Sequence, residues 1–113
     1  MRLRTGMKIW LENDHGECVL GKGTYLLLLG VREHGSIMAS ARSCDISYDR
    51  AWKRIRAAEV AADTRLVNRS RGGPAGGSAS LTPAGQSLVE AYASLLERLD
   101  TALGENIVKV DRD

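Results

Sequence analysis

The chain has 113 residues, enough for one domain with a single modest core. Its apolar fraction is 43%, but it has no phenylalanine, so leucine, valine, isoleucine and alanine must fill the interior, which favours helix packing. No apolar run approaches the roughly 18 residues of a membrane span, and "LRTGMKIWLEN" lacks the apolar core and cleavage site of a signal peptide, which reads as a cytoplasmic protein. The net charge of +2 hides an asymmetry. Residues 42–71 carry a net +4 and residues 81–113 a net −3, so the middle of the chain suits an anionic surface and the last segment does not. Cys18 and Cys44 fall in a strand-like and a helix-like segment and are expected to be small buried thiols.

"MKIWLE" alternates in the manner of a half-buried strand. "NDHG" is a turn in which Gly16 can supply a positive φ, and "ECVLG" returns, so residues 7–20 predict a β-hairpin. The pattern then predicts a helix over 22–34, ended by Gly35, with Arg32 and His34 in its last turn. Ser36 is a good N-cap, and Ile37, Ala41 and Cys44 share one face of a short helix. Asp45 interrupts that helix at a position suited to a left-handed residue. Ser47 caps a second helix in which Ala51, Trp52, Ile55 and Ala58 repeat at helical spacing. Residues 36–60 therefore predict a helix-turn-helix.

Residues 66–82 form two short extended segments around glycines 72, 73, 76 and 77. Too few residues follow for a second core, which argues against a linker. A phosphate loop would need lysine where Ser78 stands. The second near miss, "GECVLGKGT", has Gly23 where a magnesium-binding Ser or Thr is required. A hairpin directly after a helix-turn-helix fits best, and that is a wing: glycine lets its tip approach a groove, while Arg69 and Arg71 supply charge. Residues 83–107 predict a long helix, capped by Thr82 with Pro83 in its first turn, in which Leu88, Tyr92, Leu95, Leu99 and Ala102 form an apolar seam.

"GSIMASARSCDISYDRAW" followed by "LVNRSRGGPAGGSASLTPAGQSLVEAY" resembles the N-terminal DNA-binding domain of the ModE-type, molybdate-responsive regulators, a winged helix related to the LysR type. The resemblance rests on "GSI" at 35–37, "SYDRAW" at 47–52, the glycine pairs at 72–77 and "LTPAG" at 81–85, and covers roughly residues 8–100. Asp45 departs from the usual glycine of the turn, and Pro74–Ala75 alters the wing tip. The resemblance implies a mainly α fold with small β elements: a winged helix-turn-helix with an N-terminal hairpin and a long C-terminal dimerisation helix. The family's oxyanion-sensing modules find no counterpart here, so molybdate binding is not carried over. Any signal would come from a separate sensor protein, from abundance or from Cys44 chemistry.

On this reading the helix from Ser47 is the recognition helix, presenting Ser47, Tyr48, Asp49, Arg50, Lys53 and Arg54 outward, with Trp52 turned in. Arg50 suits a bidentate bond to guanine, and Lys53 and Arg54 suit phosphates. Arg69 and Arg71 are expected on the DNA backbone or minor groove. Arg42 and Ser36 are weaker candidates for the backbone, against ordinary surface and capping roles. Part of the seam of Leu88, Tyr92, Leu95 and Leu99 is expected to pack on the helix of residues 22–34, but it exceeds what so small a core can bury, so a homodimer is expected. His15 and His34 lack metal-ligand spacing with either cysteine, and no metal or cofactor is expected. The leading function is a sequence-specific, double-stranded-DNA-binding regulator. A winged-helix protein-interaction module is the alternative. An enzyme is the weakest reading, because no catalytic constellation appears.

Overall fold

The computed structural model describes residues 1–70, 77–104 and 107–112. In chain order the elements are β1 (Arg2–Arg4), β2 (Leu11–Glu12), β3 (Cys18–Leu20), α1 (Lys22–His34), α2 (Ile37–Ser43), α3 (Tyr48–Ala62), β4 (Val67–Ser70), β5 (Ser78–Leu81), α4 (Pro83–Leu103) and β6 (Ile107–Lys109). The strands pair antiparallel as β1–β6, β2–β3 and β4–β5. The fold is mainly helical, a winged helix-turn-helix.

Local capping sets the helix boundaries. Gly35 takes a left-handed φ of 74° and donates its N–H to the Val31 carbonyl, which stops α1. The Ser36 hydroxyl then accepts from the Ala39 N–H at 3.0 Å and starts α2. Asp45 closes the turn at φ 58°, and Ile46 N–H reaches back to the Ala41 carbonyl. The Ser47 hydroxyl accepts from the Arg50 N–H at 3.2 Å and opens α3, which runs on to Asp63, another left-handed residue. The helices α1 and α2 cross closely because Gly30 has no side chain: a Cβ there would strike the Ser40 side chain. Ser40 is itself fully buried and donates to the Leu27 carbonyl at 2.6 Å.

Leu20, Leu27, Leu28, Val31, Ile55, Leu66, Val67 and Val89 are buried to 2% exposure or less and form the centre of the core. The base of the β4–β5 hairpin is fixed to that core at several points. Ala79 N–H donates to the Gly35 carbonyl at 2.7 Å. The buried Glu59 carboxylate accepts from the N–H groups of Leu66, at 2.8 Å, and Val67, at 3.3 Å. Thr82 accepts from Gly85 N–H as the cap of α4 and donates its hydroxyl to the Arg65 carbonyl.

Four details differ from the sequence expectation. Strand β2 is shorter than residues 7–12: Leu11 pairs with Leu20, so Trp10 would need Gly21, which already caps α1. The last helix stops at Leu103 rather than 107, because Gly104 turns to φ 54°, and Ile107 instead pairs with Arg4. Cys18 is exposed, since Val19 and Leu20 are the buried residues of the three-residue strand β3, and Cys44, the C-cap of α2, is half-buried. Tyr92 belongs to the chain's own core at 1% exposure, not to an outer seam. Its ring lies 4.7 Å from that of Tyr25, and its hydroxyl donates to the Ile9 carbonyl at 3.0 Å.

Burial raises the Tyr92 phenol above its ordinary 10.0, with smaller pushes in the same direction from Cys18 and Tyr25. The folded state holds this proton more tightly than the unfolded state. The associated stability is therefore intact below pH about 10 and is lost as pH rises through the folded-state pKa. An ultraviolet titration should show a phenol ionising above the ordinary 10.0, and Tyr92→Phe should abolish that step.

Candidate nucleic-acid interface

Helix α3 advances about 100° per residue, and that geometry sorts its side chains onto three sides. Ala51, Ile55 and Ala58 are buried against α1 and α2. Asp49, Arg50, Lys53 and Ala57 lie away from that buried stripe and are exposed. Tyr48, Trp52, Arg56 and Glu59 face the hairpin. Lys53 is held by Asp49 in an exposed ion pair at 3.0 Å, four residues apart on the helix, a contact of small worth that a phosphate can displace. Arg54, also exposed, lies on the other flank: a Cβ on Gly23 would sit 3.1 Å from its guanidinium.

Between the start of α2, the hairpin-facing side of α3 and the hairpin base lies an open groove of about 860 Å³. Its walls include Ser36, Arg42, Tyr48, Trp52, Arg56, Arg65, Arg69 and Ser78. Four of these are arginines, so the groove is cationic, and the half-buried Trp52 forms part of its floor. Ser36 is occupied as an N-cap acceptor. The exposed Arg42 guanidinium reaches the Met38 sulfur at 3.7 Å. Arg69 is exposed but lies over α3: its guanidinium carbon sits 4.0 Å above the Trp52 ring, and Nη2 donates to the Tyr48 hydroxyl at 2.6 Å.

Of the residues expected from sequence, Ser36, Arg42, Tyr48 and Arg69 meet around this groove, while Asp49, Arg50 and Lys53 share the neighbouring outward face of α3. Ser47 caps α3 at their junction. Arg71 lies outside the described residues. Sequence reasoning missed Glu59 and the Arg69–Trp52–Tyr48 stack. Tyr48 and Trp52 stand four apart, which places them on one side of α3, but nothing local announces an arginine arriving from the hairpin. Both histidines are exposed, and among the described residues no three His, Cys, Asp or Glu side chains are grouped to hold a metal.

The family model for the bacterial regulatory helix-turn-helix proteins of the LysR family matches residues 25–86, more than half of the chain. The chain belongs to that family. Its helix-turn-helix is thus a LysR-type DNA-binding domain, related to the N-terminal region of ModE, in a family of regulators rather than enzymes. The molybdenum-pterin-binding protein MopB of Rhodobacter capsulatus is 38% identical over 76 residues, which cover 67% of this LysR-type chain and 28% of MopB. The DNA-binding transcriptional dual regulator ModE of Escherichia coli K12 is 38% identical over 71 residues, covering 63% of this chain and 27% of that protein. The transcriptional regulator ModE of Yersinia pestis is 38% identical over 66 residues, covering 58% and 25%. The chain thus spans little more than a quarter of these relatives. The crystal structure of a LysR family transcriptional regulator shares the fold, with a TM-score of 0.54 at 24% identity, over 74% of this chain and 28% of that one. No helix among the described residues is long and apolar enough to cross a membrane.

Proposed function

We propose that this chain reads duplex DNA as a homodimeric transcriptional regulator, with α3 in the major groove and the β4–β5 hairpin as a wing along the backbone or minor groove. The observation that carries this reading is the outward face of α3, where Arg50 and Lys53 stand exposed within two turns of the Ser47 cap, backed by the buried Ala51 and Ile55. The first turns of such a helix meet base edges, where arginine makes paired bonds to guanine. Lys53 and Arg54, and more weakly Arg42 and Ser36 at the edge of α2, serve phosphates. Arg71, which follows β4 in the sequence, adds positive charge to this reading. Purified protein should bind duplex DNA saturably, with an affinity that falls as salt rises.

The dimer rests on α4. Its buried residues, Gly85, Val89 and Tyr92, all lie in its first half. Beyond them Leu95, Leu99 and Leu103 are only half-buried, and none of the three packs on the core. Leu99 and Leu103 instead line an open cavity of about 730 Å³ together with Met7, Ile9, Trp10 and Leu96. The radius of gyration is 17.1 Å, against roughly 13 Å for a compact chain of this length. Such an extended helix with an apolar side suits pairing with the same helix of a second chain. Leu88 packs against the core in part and would sit at the margin of that contact. Replacing Leu95 and Leu99 together by glutamate should give folded monomers that bind a two-fold symmetric duplex more weakly. A wild type that sediments as a monomer at roughly tens of micromolar, a tighter regime than millimolar binding would need, would remove the dimer from this reading.

A further inference from the structure

We infer that Arg69 is a positioning residue, which holds the Tyr48 hydroxyl at the head of the recognition helix as a donor toward DNA and does not itself neutralise a phosphate. The inference rests on the DNA-reading role proposed above and assigns one polar contact within it.

Arg69 sits in β4 opposite Ala79, whose N–H is bonded to the Gly35 carbonyl, so the strand pair is fixed where this side chain leaves it. Its guanidinium carbon is 4.0 Å from the centre of the Trp52 ring, a stacking distance that restrains an otherwise mobile side chain. From there Nη2 reaches the Tyr48 oxygen at 2.6 Å. A guanidinium has only donors, so the tyrosine oxygen must be the acceptor. That assignment leaves the phenolic proton free to be given elsewhere. Accepting a bond from a cation also polarises the hydroxyl and strengthens it as a donor.

Tyr48 is the first residue of α3, is 39% exposed and lies beside the Ser47 cap. A hydroxyl donor placed there faces the acceptors that duplex DNA offers: phosphate oxygens, purine N7, guanine O6 and thymine O4. Base acceptors are favoured, because Tyr48 stands in the turn that enters the groove, next to outward-facing Asp49 and Arg50. Stacking on Trp52 lowers the ordering that Tyr48 and Arg69 must still undergo when DNA arrives.

The test compares Arg69→Ala, Arg69→Lys, Tyr48→Phe and Arg69→Lys/Tyr48→Phe on a selected duplex and on a scrambled one, over a range of salt. Lysine keeps the charge but loses the planar stack and fork. A positioning role gives about a tenfold fall per half-site in the ratio of specific to non-specific affinity for Arg69→Lys and for Tyr48→Phe. The double variant should fall no further than either single one, and the salt slope of Arg69→Lys should match the wild type. The role is overturned if Arg69→Lys keeps the wild-type ratio while Arg69→Ala lowers the salt slope by about one unit per half-site, as a phosphate contact requires. Additive effects of Arg69→Lys and Tyr48→Phe overturn it equally. Tyr48→Phe retains the ring, so the comparison stands even if an Arg69 variant melts early. Absence of wild-type duplex binding would instead overturn the DNA-reading role itself, and this one with it.

Discussion

Truncation of Tyr92 to alanine is expected to destabilise the fold by about 3–5 kcal/mol, the usual cost of emptying a buried aromatic site. Tyr92 is 1% exposed, stacks near Tyr25 and bonds the Ile9 carbonyl, so its loss also leaves that carbonyl short of a donor. Small domains hold only about 5–15 kcal/mol in total, so the variant should unfold far earlier in urea than the wild type. The comparison with Leu95 and Leu99 sharpens the point. Those residues lie one to two turns further along the same helix, and their replacement should change association while leaving the fold in place. Wild-type stability of Tyr92→Ala would mean that α4 does not dock on α1 through this ring.

Replacing Glu59 with alanine should cost roughly 2–4 kcal/mol, because the N–H groups of Leu66 and Val67 lose their shared acceptor in a buried place. The ion pair with Arg56, 3.7 Å long on a side chain 60% exposed, adds little. Glu59→Gln keeps an acceptor oxygen and should recover a large part of the loss. The two variants also separate fold from function. Glu59 fixes the start of β4, and Arg69 follows two residues after Val67, so Glu59→Ala should weaken DNA binding even where the protein is still folded. Thermal melts and duplex titrations below the transition check both effects. Equal melting of Glu59→Ala and wild type would show that the hairpin base is held by other contacts.

Most helix boundaries were legible because they are set by residues acting on their neighbours, although the end of α4 at Gly104 was placed too late. Gly35, Ser36, Asp45, Ser47 and Thr82 stop, start or turn the chain through bonds spanning only a few residues. Pairings between distant segments leave no such mark. Strands β1 and β6 join opposite ends of the chain, and all six of their residues are exposed, so no apolar alternation signals them. Tyr92 shows the other limit. Counting leucines placed it with Leu88, Leu95 and Leu99, whereas the buried set is Gly85, Val89 and Tyr92, a neighbouring stripe that the same spacing fits equally well. Periodicity gives the existence of a face, and only packing chooses which one is inside. The outward face of α3 was readable for the opposite reason: Ala51, Ile55 and Ala58 are too apolar and too regularly spaced to point elsewhere. The stack of Arg69 on Trp52 depends on where the hairpin lands, which no local pattern encodes.

Arg50 tests the DNA-reading role of α3 most directly, since it is exposed on the outward face and its side chain caps nothing. The measurement is the affinity of wild type and Arg50→Ala for a duplex selected from a random pool and for a scrambled duplex, each over a range of salt. A recognition helix in the major groove requires Arg50→Ala to lose roughly 1–3 kcal/mol per half-site on the selected duplex, relaxing preference at a single base pair, with little change on the scrambled one. Wild-type binding that ignores both sequence and salt, or an Arg50→Ala variant equal to wild type on the selected duplex, would contradict it.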